Sequence, residues 1–139
     1  MDYVVSAVMQ KDVKSVPSSM TVAELEACFV RYQVSGFPVV DNGKLVGVAS
    51  QTDLFRAPSP ARDRTTLLVK DVMTTDVVTA RPDDRLHGVA DMMYRKRIHR
   101  IIVVENDAVL GVITPFDFVR LYSTYRIGAE GRPSRTQDF

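Results

Sequence analysis

The sequence is poor in the residues that build disulfides, metal centres and nucleophilic active sites. It holds one cysteine, Cys28, two histidines, His87 and His99, and no tryptophan in 139 residues. A single cysteine excludes an internal disulfide, and so small a stock of His and Cys suggests neither a structural metal set nor a catalytic thiol. No G-x-S-x-G, H-E-x-x-H or Walker-type loop occurs. The chain is therefore not expected to be an enzyme, and no catalytic residue, metal or catalytic cofactor is assigned. No apolar run approaches the ~20 residues of a membrane span, and Met1-Asp2 opens without a basic stretch; no membrane partner is expected, and a reducing cytoplasm is the expected location. Charge of one sign is lacking too. Eighteen Lys+Arg against 17 Asp+Glu leave a net charge of +1, without a global pull toward nucleic acid. The basic run Arg95-Lys96-Arg97 with Arg100 has no interleaved aromatics for base stacking, so no nucleic-acid partner is expected.

What is present is a repeat. Displaced by 64 residues, Val8-Met9 falls on Val72-Met73, Asp12-Val13 on Asp76-Val77, Val39-Val40 on Val103-Val104 and Gly47-Val48 on Gly111-Val112. Arg31/Arg95, Asn42/Asn106, Asp53/Asp117 and Arg56/Arg120 bring the ungapped identities between residues 8 and 56 to twelve. Such a match means two copies of one supersecondary unit, each burying its apolar face on the other. The expected boundaries are repeat 1 at about 4–56, a linker at 57–66, repeat 2 at about 67–122, and a tail at 123–139. Pro58, Ser59 and Pro60 mark a linker with little to anchor it. Gly128, Gly131 and Pro133 mark a tail expected to be partly disordered.

Each copy reads β-α-β-β-α. A short extended piece (14–16, 77–80) precedes a helix whose apolar stripe is Val22, Leu25 and Phe29 in the first copy and Leu86, Val89, Ala90 and Met93 in the second. Thr21 and Glu24 form a capping-box signature; Asp83 or Asp84 is the candidate cap in the second copy. Two strands follow, joined by Asn42-Gly43, a strong hairpin signal, and by Asn106-Asp107, which lacks the glycine. A last helix starts at Ser50 or Thr114, with Pro115 at its first position. The expected class is α+β, with the two sheets packed together.

These residues resemble the CBS family, named for the regulatory domain of cystathionine β-synthase. The resemblance rests on VM at 8–9 and 72–73, VSGFPVVDNGKLVGVASQTDL at 34–54 and IHRIIVVENDAVLGVITPFDF at 98–118, in matching register. It implies a disc-like CBS pair, a homodimer of pairs, and clefts between repeats that take AMP, ADP, ATP or another adenosyl ligand as a regulatory signal for an unidentified protein. The alternative is a ligand-free dimerisation or interaction module.

Ser50-x-x-Asp53 and Thr114-x-x-Asp117 are helix-capping patterns in their own right. The resemblance adds a second role, in which the carboxylate accepts the hydroxyls of a ribose. His99-Arg100 at a strand entry offers a guanidinium fork for phosphate; the first copy has Ser35-Gly36 there. By resemblance, cleft A combines Ser50 and Asp53 with Val77, Val78, Thr79, Ile98, His99 and Arg100. Cleft B combines Thr114 and Asp117 with Val16, Val34, Ser35, Gly36 and Pro38, without an arginine of its own at the matched position. Arg56, Arg120 or a tail arginine could supply that charge. The copies also depart from each other at Pro38/Ile102, Gly43/Asp107 and Ala49/Ile113.

Overall fold

The computed structural model describes residues 3–57 and 63–124; the middle of the linker and the tail beyond Thr124, with its expected disorder, lie outside the described residues. Repeat 1 contributes helix α1 (Val22–Tyr32), strands β1 (Gly36–Asp41) and β2 (Lys44–Ser50), and the short helix α2 (Gln51–Phe55). Repeat 2 contributes α3 (Val69–Val72), β3 (Thr79–Ala80), α4 (Leu86–Lys96), β4 (Ile101–Glu105), β5 (Ala108–Ile113) and α5 (Pro115–Thr124), so α5 runs two residues past the expected boundary at 122. The fold is α+β. β1 and β2 pair antiparallel, as do β4 and β5, and β3 joins β4 in parallel. In repeat 1 the first strand shrinks to a single parallel bridge, Val16 to Val39.

Local chemistry explains the elements. Val22, Leu25 and Phe29 are buried on one face of α1, and Thr21 with Glu24 completes the capping box, Glu24 N–H donating to Thr21 Oγ1 at 3.1 Å. The second copy corrects the expected cap. Asp84 Oδ2 accepts the Arg81 N–H instead, and α4 begins without a side-chain cap. Its first donor, the Leu86 N–H, goes to the Tyr3 carbonyl at 2.7 Å. Both hairpins turn through left-handed residues, Asn42 (φ 51°) with Gly43 (φ 77°) and Asn106 (φ 53°) with Asp107 (φ 67°). Asp107 therefore takes the conformation that glycine takes in the first copy, one that Asn and Asp tolerate better than other side chains.

The segments before the two repeats are exchanged. Residues 3–10 leave repeat 1 and pack on repeat 2: Val5 N–H donates to Asp84 O, and Gln10 bridges Val112 in both directions at 2.9 and 3.0 Å. Residues 67–74 cross the other way: Val22 N–H donates to Leu67 O at 2.7 Å, and Thr74 bridges Val48. The cores follow this division. Val5 and Val8 lie with Leu86, Val89, Ile101 and Ile113, whereas Val69 lies with Val16, Leu25, Phe37 and Ala49. Gly47 and Gly111 permit the crossing. A Cβ on Gly47 would meet the Thr74 carbonyl at 2.8 Å, and one on Gly111 would meet the Gln10 carbonyl at 2.6 Å. The sheets also touch directly, with Leu45 N–H donating to Asp107 O at 2.9 Å.

The described end of the linker is better anchored than its composition suggests. Asp63 O accepts the Thr66 and Leu67 N–H groups, Arg64 O accepts the Ala23 N–H of α1, and Arg64 pairs with Glu26 at 3.2 Å. Backbone partners therefore hold a segment whose side chains promised little.

Candidate functional site

Two clefts lie along the junction of the repeats. Cleft A, about 280 Å³, is lined by Ser50 and Asp53 from repeat 1 and by Val77, Val78, Ile98, His99 and Arg100 from repeat 2, together with Val48, Thr74, Asp76, Arg97 and Ile102. Its size is near the lower end of small-molecule clefts. Thr79 is not on this wall. It is exposed and begins β3, where it pairs with Ile102 in the sheet. Cleft B is larger, about 710 Å³, and Val34, Ser35, Gly36, Pro38 and Thr114 line it. Two of its expected members do not. Val16 is 3% exposed, sequestered in the core by its bridge to Val39, and Asp117 is fully buried.

The two carboxylates differ in the donors they receive. Ser50 caps α2: Asp53 N–H donates to Ser50 Oγ at 3.2 Å, and the Ser50 N–H donates to Asp53 Oδ2 at 2.8 Å. Among the described residues the other oxygen, Oδ1, receives only the Thr74 hydroxyl, at 2.8 Å. Asp53 remains 7% exposed on the cleft wall, and one lone pair of Oδ1 is open to a further donor. In repeat 2 the Thr114 N–H again reaches Asp117 Oδ2 at 2.8 Å. Here, however, Oδ1 receives both Gln10 Nε2 at 2.7 Å and Arg120 Nη2 at 3.0 Å. Gln10 is the counterpart of Thr74 in the 64-residue register. The two make equivalent bonds, and Arg120, also bonded to the Val8 carbonyl, is the added donor that completes the seal. Asp117 is thus occupied as a structural acceptor rather than presented to cleft B, and Arg120 is already paired instead of standing free as a second phosphate ligand.

Arg100 stands between the clefts and lines both. Its Nη2 donates to Ser35 Oγ across the repeat boundary. Burial lowers the guanidinium pKa, partly offset by the negative charge of Asp53. Cleft B therefore does have an arginine on its wall, supplied by the opposite repeat, and it also has Lys14. Thr74 and Gln10 are the site residues that sequence reasoning passed over. The repeat register already paired them, but nothing in it reveals that each serves the other copy's carboxylate. Among the described residues no cluster of three His, Cys, Asp or Glu side chains could hold a metal ion, and no helix is long and apolar enough to cross a membrane.

The family described as CBS domain matches residues 5–60 and 69–124. The chain is 37% identical over 115 residues to the inosine-5'-monophosphate dehydrogenase of Methanocaldococcus jannaschii, covering 81% of this chain and 22% of that enzyme. It spans less than half the length of the first curated relatives it matches. Among solved structures, the CBS domain pair of protein MJ0100, in complex with 5'-methylthioadenosine and S-adenosyl-L-methionine, superposes with a TM-score of 0.75 at 27% identity, covering 88% of this chain and 98% of that one. CBSX2 in complex with AMP superposes with a TM-score of 0.78 at 25% identity, covering 87% and 96%. With its internal repeat, its paired sheets and both family matches in register, this chain belongs to the CBS domain family as a tandem pair.

Proposed function

We propose that the chain is a non-catalytic regulatory module that binds an adenosyl ligand in cleft A. One observation carries the reading: Asp53 keeps an open acceptor position, among the described residues, on the wall of a cleft that Arg100 also lines. The carboxylate accepts the ribose hydroxyls, Arg100 receives a phosphate, and Val77, Val78 and Ile98 flank the base. His99 is a polar neighbour on the same wall. AMP, ADP and ATP are the first candidates, and the AMP, methylthioadenosine and S-adenosylmethionine of the related complexes support the class. Cleft B, with its carboxylate sealed, is the weaker ribose site. Calorimetric titration with AMP, ADP, ATP, S-adenosylmethionine and adenosine is expected to give saturable binding of at least one of them. Heat of dilution alone for all five favours the competing reading, a ligand-free dimerisation and interaction module.

The dimer belongs to the same proposal. Val30 on α1 and Phe55 at the end of α2 are 79% and 91% exposed, and Phe116, Val119 and Tyr122 on α5 are 60–69% exposed. Apolar groups set on helices of both repeats fit a second copy of the chain better than water. Light scattering at micromolar concentration is expected to give twice the chain mass. A monomer mass removes the dimer from the reading and leaves the cleft untouched. The protein such a module regulates would be recognised separately.

A further inference from the structure

Among the described residues, Arg100 and Ile102 alone line both clefts, and Arg100 is the only charged group between them. Its guanidinium lies flat on Gly36, where an added Cβ would come within 2.7 Å of both Cζ and Nη1. It thereby occupies space on the cleft B side that only glycine leaves open. A guanidinium carries five N–H donors, yet among the described residues its one hydrogen bond goes to the neutral hydroxyl of Ser35. That is a modest partner for a half-buried cation, and a phosphate is a much stronger acceptor with matching fork geometry.

We infer that Arg100 couples the two clefts: a phosphate entering cleft A draws the guanidinium off Ser35 and Gly36 and so reshapes the wall of cleft B. The inference rests on the proposed nucleotide site in cleft A and specifies how its occupancy is transmitted. Adenosine, which has no phosphate, fills the ribose and base positions and leaves Arg100 at rest on Ser35. AMP moves it. Cleft B then loses its arginine and retains Lys14, so a phosphorylated ligand in cleft A weakens anion binding in cleft B, whereas adenosine does not. Ser35 acts as a resting partner that competes with the ligand for the cation.

The test uses the full chain, labelled with nitrogen-15, titrated with AMP and with adenosine while backbone amides are followed by NMR. AMP is expected to shift the Ser35 and Gly36 amides; adenosine is expected to shift amides near Asp53 and leave those two in place. Ser35→Ala, checked for an intact amide spectrum, is expected to bind AMP three- to tenfold more tightly with no gain for adenosine. Saturation by AMP with the Ser35 and Gly36 amides stationary overturns the coupling while leaving the cleft A site standing. So does a Ser35→Ala change that is equal for both ligands. If neither ligand perturbs any amide of the wild-type chain, the nucleotide site itself is refuted and the coupling falls with it.

Discussion

Asp117→Ala is expected to destabilise the fold by about 3 kcal/mol, far more than a surface substitution. The carboxylate is fully buried, and four donors converge on it: the Thr114 N–H and hydroxyl at the start of α5, Gln10 from the exchanged segment, and Arg120 one turn along the helix. Removing it strands a backbone donor at a helix start and cuts a tie between residues 3–10 and repeat 2. It also leaves Arg120 without its counter-charge. Two effects reduce the loss. The Arg120 side chain is 46% exposed and can turn to water, and Gln10 is exposed enough to be resolvated. The full penalty of an orphaned buried ion therefore does not apply. Asp53→Ala is the internal control. Asp53 has Ser50 and Thr74 as partners but no ion pair among the described residues, so its loss is expected to cost about 1 kcal/mol. Urea unfolding of both variants measures the difference. Equal losses, or a loss under about 1 kcal/mol for Asp117→Ala, would mean that the seal on the second carboxylate carries little energy.

Much of this architecture is legible in the sequence because the repeat reports it twice. The apolar stripe of α1, the Thr21–Glu24 box, the Asn42-Gly43 turn and the Ser50 and Pro115 helix starts are local signals, and local chemistry determines them. The second hairpin was harder to read, since Asp107 takes a left-handed conformation without being glycine. What the sequence does not carry is partnership between copies. A register match equates Val8-Met9 with Val72-Met73, but it is silent on whether each pair packs on its own repeat or on the other. The exchange is permitted by close approaches at Gly47 and Gly111, visible only in three dimensions. The same blindness covers the site. Gln10 and Thr74 stand at matched positions and each donates to one carboxylate Oδ1, but only Asp117 also receives an arginine, Arg120, among the described residues. Arg100 is recognisable as a phosphate fork, yet its reach to Ser35 and Gly36 joins residues 65 apart in sequence from opposite repeats. Asp63 and Arg64 likewise anchor the linker end through backbone carbonyls, which residue types do not advertise.

The central claim is that cleft A, through Asp53 and Arg100, is the ribosyl-phosphate site. Calorimetric titration of AMP and adenosine into the wild-type chain, Asp53→Ala and Arg100→Ala tests it most directly. Loss of a charged hydrogen-bond partner costs on the order of 1.5–3 kcal/mol, roughly a ten- to hundredfold weaker affinity. Asp53→Ala is expected to weaken AMP and adenosine alike by that factor, because both carry the ribose diol. Arg100→Ala is expected to weaken AMP by the same order and leave adenosine nearly unchanged. Wild-type affinity for AMP in both variants, with the fold intact, would contradict the assignment.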